Sequence, residues 1–132
     1  MSSKQRMLSA GVLACIVSFG IAGRAAAHHS TAMFADKTIE LTGKVKEFQY
    51  TNPHSWLLVD VTQDDGTVQT WGFEAEGPST LIRAGIPKSA LPPGTTVTIT
   101  ARPMKDGRPA GSWVRLVTED GRVLDPRPDQ GN

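Results

Sequence analysis

From residue 38 onward the chain is written in short runs of alternating apolar and polar positions, each closed by turn residues. The run "TIELTGKVKEF" (38–48) sets Ile39, Leu41 and Val45 against polar neighbours, with Gly43 where a barrel strand bends. "SWLLVDVT" (55–62) turns Leu57, Val59 and Val61 the same way. Asp64-Asp65-Gly66 supplies a tight turn, because glycine accepts the positive φ of a hairpin, and "TVQTWGFEA" (67–75) is the returning strand. "TTVTITAR" (95–102) and "GSWVRLVTE" (111–119) pair across Asp106-Gly107, and "RVL" (122–124) follows the Asp120-Gly121 turn. Between the two groups, "GPSTLIRAG" (77–85) reads as one or two turns of helix, opened by Pro78 and stopped by Gly85.

This order predicts an all-β fold: a small OB-fold-like barrel of five to six strands, with one short helix between strands 3 and 4. A lipocalin or jelly roll needs more strands than the chain supplies. There are no internal repeats and no long helical periodicity. The barrel domain is expected over 38–124, and the Pro-rich polar tail 125–132 is expected to be disordered.

Residues 1–27 have the pattern of a signal peptide. Lys4 and Arg6 make a basic start, residues 7–23 are mostly apolar, and Ala25-Ala26-Ala27 offers small residues at the recognition positions. The apolar run is too short for a membrane span. Cleavage after Ala27 uses Ala25 and Ala27, whereas cleavage after Ala26 would place Arg24 at a small-residue position. The expected location is the periplasm, with a mature chain beginning at His28 and a flexible histidine-containing arm over 28–37. Losing Lys4, Arg6 and Arg24 leaves 11 basic residues against 13 acidic ones, so the net charge moves from +1 to −2. That balance speaks against a nucleic-acid partner. The single cysteine, Cys15, lies inside the signal, where Val12-Leu13-Ala14-Cys15 faintly resembles a lipobox, yet the apolar run continues past it. The mature domain then has no thiol chemistry and, once the signal is gone, no membrane segment.

Three histidines exist: His28, His29 and His54. A chain starting at His28 offers an α-amine and an imidazole on one residue, and His29 or His54 can add a third nitrogen. Such tetragonal nitrogen ligation suits Cu(II). A chain starting at Ala27 instead offers its amine, two amides and His29, another square-planar copper arrangement. Met33 adds a soft thioether. Equally, adjacent histidines on an arm are ordinary solvated residues. The segment "YTNPHSW" (50–56) occupies the first loop of the predicted barrel, one of those flanking an OB ligand face, which makes Tyr50, Asn52, Ser55 and Trp56 candidate ligand contacts. The same residues also make a sound structural turn. Trp56, Trp71, Phe73 and Trp113 serve either stacking or core packing. Glu74 and Glu76 share a strand face, but neither they nor Ser55 beside His54 compose a catalytic motif, so no enzyme activity is expected.

The stretches "HHSTAMF", "LTGKVKEFQYTNPHSW", "GPSTLIRAG" and "LPPGTTVTITARPMKDGRPAGS" together resemble the small exported bacterial proteins of domain of unknown function 6152. The resemblance covers about His28 to Asp120. It implies a single exported OB-like domain and draws attention to His28, His29 and His54, but brings no activity or substrate. Two functions stay open: a periplasmic copper-binding protein using those histidines, or a non-catalytic, monomeric OB module. The latter would bind a small ligand, a glycan or a periplasmic partner protein. Intact-mass measurement on the exported chain is expected to place its N-terminus at His28; a chain one alanine longer would leave only the Ala-His-His mode.

Overall fold

The computed structural model describes residues 31–128. The strands are β1 (Ile39–Gln49), β2 (His54–Thr62), β3 (Val68–Glu76), β4 (Thr96–Pro103), β5 (Ala110–Thr118) and β6 (Val123–Leu124). One helix, α1 (Pro78–Arg83), lies between β3 and β4, followed by a 3-10 turn at Lys88–Ala90 that the periodicity does not announce. The sheet order is β3-β2-β1-β4-β5-β6, and β3 also pairs with β5. That pairing closes the first five strands into a barrel, with β6 as an extra strand on β5. The expected all-β, OB-like architecture is therefore the observed one.

Closure is brief. β3 and β5 run parallel through only Gly72↔Ala110, Phe73↔Gly111 and Glu74↔Ser112. Every other strand pair is antiparallel. Inside, Leu57, Val59, Phe73, Ile99, Trp113 and Leu116 are each completely buried. Apolar surface of this size, removed from water, is the main stabilising term. Leu81, the buried residue of α1, joins the same core with Ile86 and Leu91 from the connection that follows.

Two register shifts tune which side chains face in. Between Val45 and Glu47 the pairing with β2 slips by one residue, so Phe48 is buried where strict alternation would bury Glu47. Between Thr100 and Ala101 the pairing with β5 slips likewise, which lets both Trp113 and Leu116 face the core. Gly43 stands where no side chain fits: a Cβ there would lie 2.4 Å from the Asp60 carbonyl oxygen.

Both ends of the described chain are held. Phe34, buried, bridges Met104, while Ala35 N–H donates to the Pro103 carbonyl (2.8 Å) and Lys105 N–H to that of Met33 (2.9 Å). The expected flexible arm is thus tethered to the β4–β5 loop at 33–35. At the other end Pro126 is fully buried and Arg127 is bonded into the barrel wall. The expected disorder of the tail therefore fails for residues 125–128, because a buried proline and a multiply bonded arginine hold them; residues 129–132 lie outside the described chain.

Closure rests on a bare backbone at position 111, where an added Cβ would come within 2.7 Å of the Arg102 carbonyl oxygen. Gly111→Ala is expected to force β4 and β5 apart and lower stability by about 1–3 kcal/mol. Chemical denaturation should show a lower midpoint at unchanged slope. A midpoint equal to that of the parent protein would contradict this account of closure.

Candidate functional site

The strand period of two sends Ser55, Leu57, Val59 and Val61 inward and leaves His54, Trp56, Leu58 and Asp60 on the outer surface. On β3 the same rule buries Phe73 and Ala75 and turns Gly72, Glu74 and Glu76 outward. Register then sets the neighbours: His54 opposite Glu76, Trp56 opposite Glu74, and Leu58 opposite Gly72. The β3–β5 closure extends this face by placing Ser112 beside Glu74. The result is one outer face on β2, β3 and β5, bearing an aromatic ring, an imidazole, two carboxylates and a hydroxyl.

Trp56 covers Gly72. A Cβ on that glycine would touch Cε3 and Cζ3 of the indole at 3.4 and 3.7 Å, so the absent side chain makes the bed for the ring. The indole is half-buried. Below it the face is bounded by a polar trio: Lys46 Nζ donates to Thr70 Oγ1 (3.1 Å), and Thr70 Oγ1 donates to Asp60 Oδ1 (2.6 Å).

His54 is oriented by a carboxylate. Its Nδ1 lies 3.2 Å from Glu74 Oε1, with the imidazole side chain 44% exposed and the Glu74 side chain only 16% exposed. A carboxylate only accepts hydrogen bonds, so its nearness favours a proton on Nδ1 and leaves the lone pair on Nε2 when the ring is neutral. Glu76, the residue directly opposite His54, is engaged elsewhere: Arg127 Nη1 donates to Glu76 Oε1 at 3.0 Å. Arg127 Nη2 also donates to Ser112 Oγ (3.3 Å) and to the Trp113 carbonyl. Asp125 accepts from the Arg127 backbone N–H at 2.8 Å, which sets the turn that presents the guanidinium.

The candidate residues of the first loop divide between two jobs. Trp56 and His54 lie on the outer face. Ser55 is turned inward and fully buried, its hydroxyl donating to the Thr51 carbonyl at 3.3 Å, so it serves the turn and not the face. The Tyr50 hydroxyl points to the Ile86 (2.8 Å) and Pro78 (3.3 Å) carbonyls, tying β1 to the helical connection, and burial pushes its phenol pKa up. Asn52, before a cis proline, is exposed, with its Oδ1 2.8 Å from where a Cβ on Gly77 would sit. Trp113 and Phe73 are core residues, and Trp71 stacks on Phe73 at 6.1 Å. His28 and His29 lie outside the described residues. Among the described residues, no group of three or more His, Cys, Asp or Glu side chains is arranged to hold a metal ion.

Arg127 and Ser112 escaped the sequence reading. Ser112 acquires its place only through barrel closure. The alternation of Leu124 and Pro126 around Asp125 was the one local sign that the tail continues to pack.

A closed five-stranded barrel with its helix between strands 3 and 4, and a polar, aromatic outer face on strands 2 and 3, defines an OB-like domain. The chain belongs to the family of unknown function DUF6152, whose model matches residues 15–114. No curated protein and no solved structure matches it.

In 15N-resolved spectra of the imidazole, neutral His54 is expected in the Nδ1–H form. Glu74→Ala should shift it toward the Nε2–H form that free histidine prefers. A parent ring already in the Nε2–H form would contradict this influence of Glu74 on the ring.

Proposed function

We propose that the protein is an exported, non-catalytic binding module whose ligand is a saccharide held on the outer face of β2, β3 and β5. The observation that carries this reading is Trp56, a half-buried indole laid over Gly72, beside the His54–Glu74 and Glu76–Arg127 pairs. A pyranose ring has an apolar C–H face that stacks on an aromatic ring and an equatorial rim of hydroxyls that needs donors and acceptors. This face supplies both. Two carboxylates on it oppose a phosphate backbone, which separates this module from the nucleic-acid binders that share its architecture. Export rests on the signal-like residues 1–27.

A second reading, copper binding through His28, His29 and His54, is favoured by the hold of Glu74 on His54 Nδ1. Metal-binding histidines are regularly oriented in this way, by a carboxylate on the other ring nitrogen. Here His54 contributes one nitrogen, and the two histidines outside the described residues would supply the others.

Titration of the signal-cleaved protein with short neutral glucans, read by tryptophan fluorescence, is expected to saturate at one site. Trp56→Ala should weaken that binding by about tenfold or more, in line with loss of an aromatic stack. Trp56→Ala binding as well as the parent would sink the saccharide reading. Titration with Cu(II) decides the second reading: one ion per chain and a large affinity loss in His54→Ala support it, and a loss of only a few-fold removes it.

A further inference from the structure

Beyond Glu76 the outer face opens into a recess of about 270 Å³ between α1 and the C-terminal segment. Its walls are Glu76, Thr80, Arg83, Arg127 and the apolar surfaces of Ala84 and Pro126. Charge in this recess is unevenly satisfied. Arg127 is engaged by Glu76, Ser112 and the Trp113 carbonyl. Arg83, the other arginine of the recess, meets no carboxylate among the described residues, as is also true of Arg102 and Arg115 elsewhere; its Nη2 donates to the Thr80 hydroxyl at 3.2 Å. With Glu76 neutralised by Arg127, the recess retains one unmatched guanidinium, which has donors left for a planar anion.

We propose that this recess is a carboxylate subsite, taking the acid group of a saccharide whose terminal sugar is a uronic acid, with Arg83 as its anchor. The proposal rests on the saccharide reading and names the class of sugar. Strand geometry fits it: Trp56 and His54 are two residues apart on β2, Glu76 faces His54 across one strand spacing, and Glu76 is also a wall of the recess. A sugar chain that lies along β2 from Trp56 would carry its next ring past His54 to the recess that Arg83 lines. The walls of Ala84 and Pro126 suit the apolar face of that second ring.

The test compares cellobiose with cellobiouronic acid, which differ only in a terminal CH₂OH against a carboxylate, by calorimetry on the signal-cleaved protein. The acid is expected to bind about three- to fivefold more tightly, as one charge-assisted contact to an exposed arginine predicts. Arg83→Ala should abolish that preference, bringing the two sugars to the same affinity; Arg83→Lys, which keeps the charge but loses the fork, should retain part of it. Trp56→Ala should weaken both sugars. Equal binding of the two sugars, or an acid preference that survives Arg83→Ala, overturns the subsite while leaving the saccharide reading intact. Binding of neither sugar overturns both. Inorganic phosphate perturbing the Arg83 guanidinium NMR signal at lower concentration than the acid sugar assigns the recess to phosphate and overturns the carboxylate assignment.

Discussion

Three residue pairs between β3 and β5 hold the molecule in its functional shape. Without Gly72↔Ala110, Phe73↔Gly111 and Glu74↔Ser112, the six strands form a curled open sheet with two long edges. Closure gives Phe73 and Trp113 a common interior, and on the outside it brings Ser112 beside Glu74. The same contact therefore completes the core and the candidate site. It also explains why both strands are slender there: Gly72 accepts the Trp56 ring, and Gly111 admits the Arg102 backbone. A side chain at either position would trade the outer face or the closure for bulk.

The OB-like order was legible because its signals are local. Alternation over eight or nine residues and turns at Asp65-Gly66, Asp106-Gly107 and Asp120-Gly121 depend only on neighbours in sequence, and the strand ends fall within a residue or two of expectation. What was not legible depends on pairing. The slip after Val45 that buries Phe48, and the one that lets Trp113 and Leu116 both face inward, are properties of two strands at once. No single run of residues encodes them.

The site divides along the same line. That His54 and Trp56 share a face, as do Glu74 and Glu76, follows from the strand period alone. That Ser55 faces the opposite way follows from it too, and the turn chemistry of Asn52-Pro53 masked this by making the whole loop look like one surface. Arg127 was out of reach of any periodic argument, since it is an isolated cation in a polar, proline-rich tail. Its role comes from tertiary contact: Pro126 is buried, so the next side chain is delivered onto the barrel wall.

Arg127 also accounts for which carboxylate orients the histidine. Glu76 is the residue directly opposite His54, where cross-strand side chains approach most closely, yet the imidazole Nδ1 lies against the diagonal Glu74. The guanidinium resolves the competition. It binds Glu76 from the far side while anchored to Ser112 and the Trp113 carbonyl, so Glu76 gains a charge-assisted bond to a donor that is itself fixed. Glu74, the less exposed of the two carboxylates, is left to His54. Each acid thus has its own basic partner, where a single histidine would otherwise sit between two acids. The C-terminal segment is thus a working part of the outer face: it distributes the charges there, and in doing so it makes Glu76 the shared wall between the Trp56 platform and the Arg83 recess.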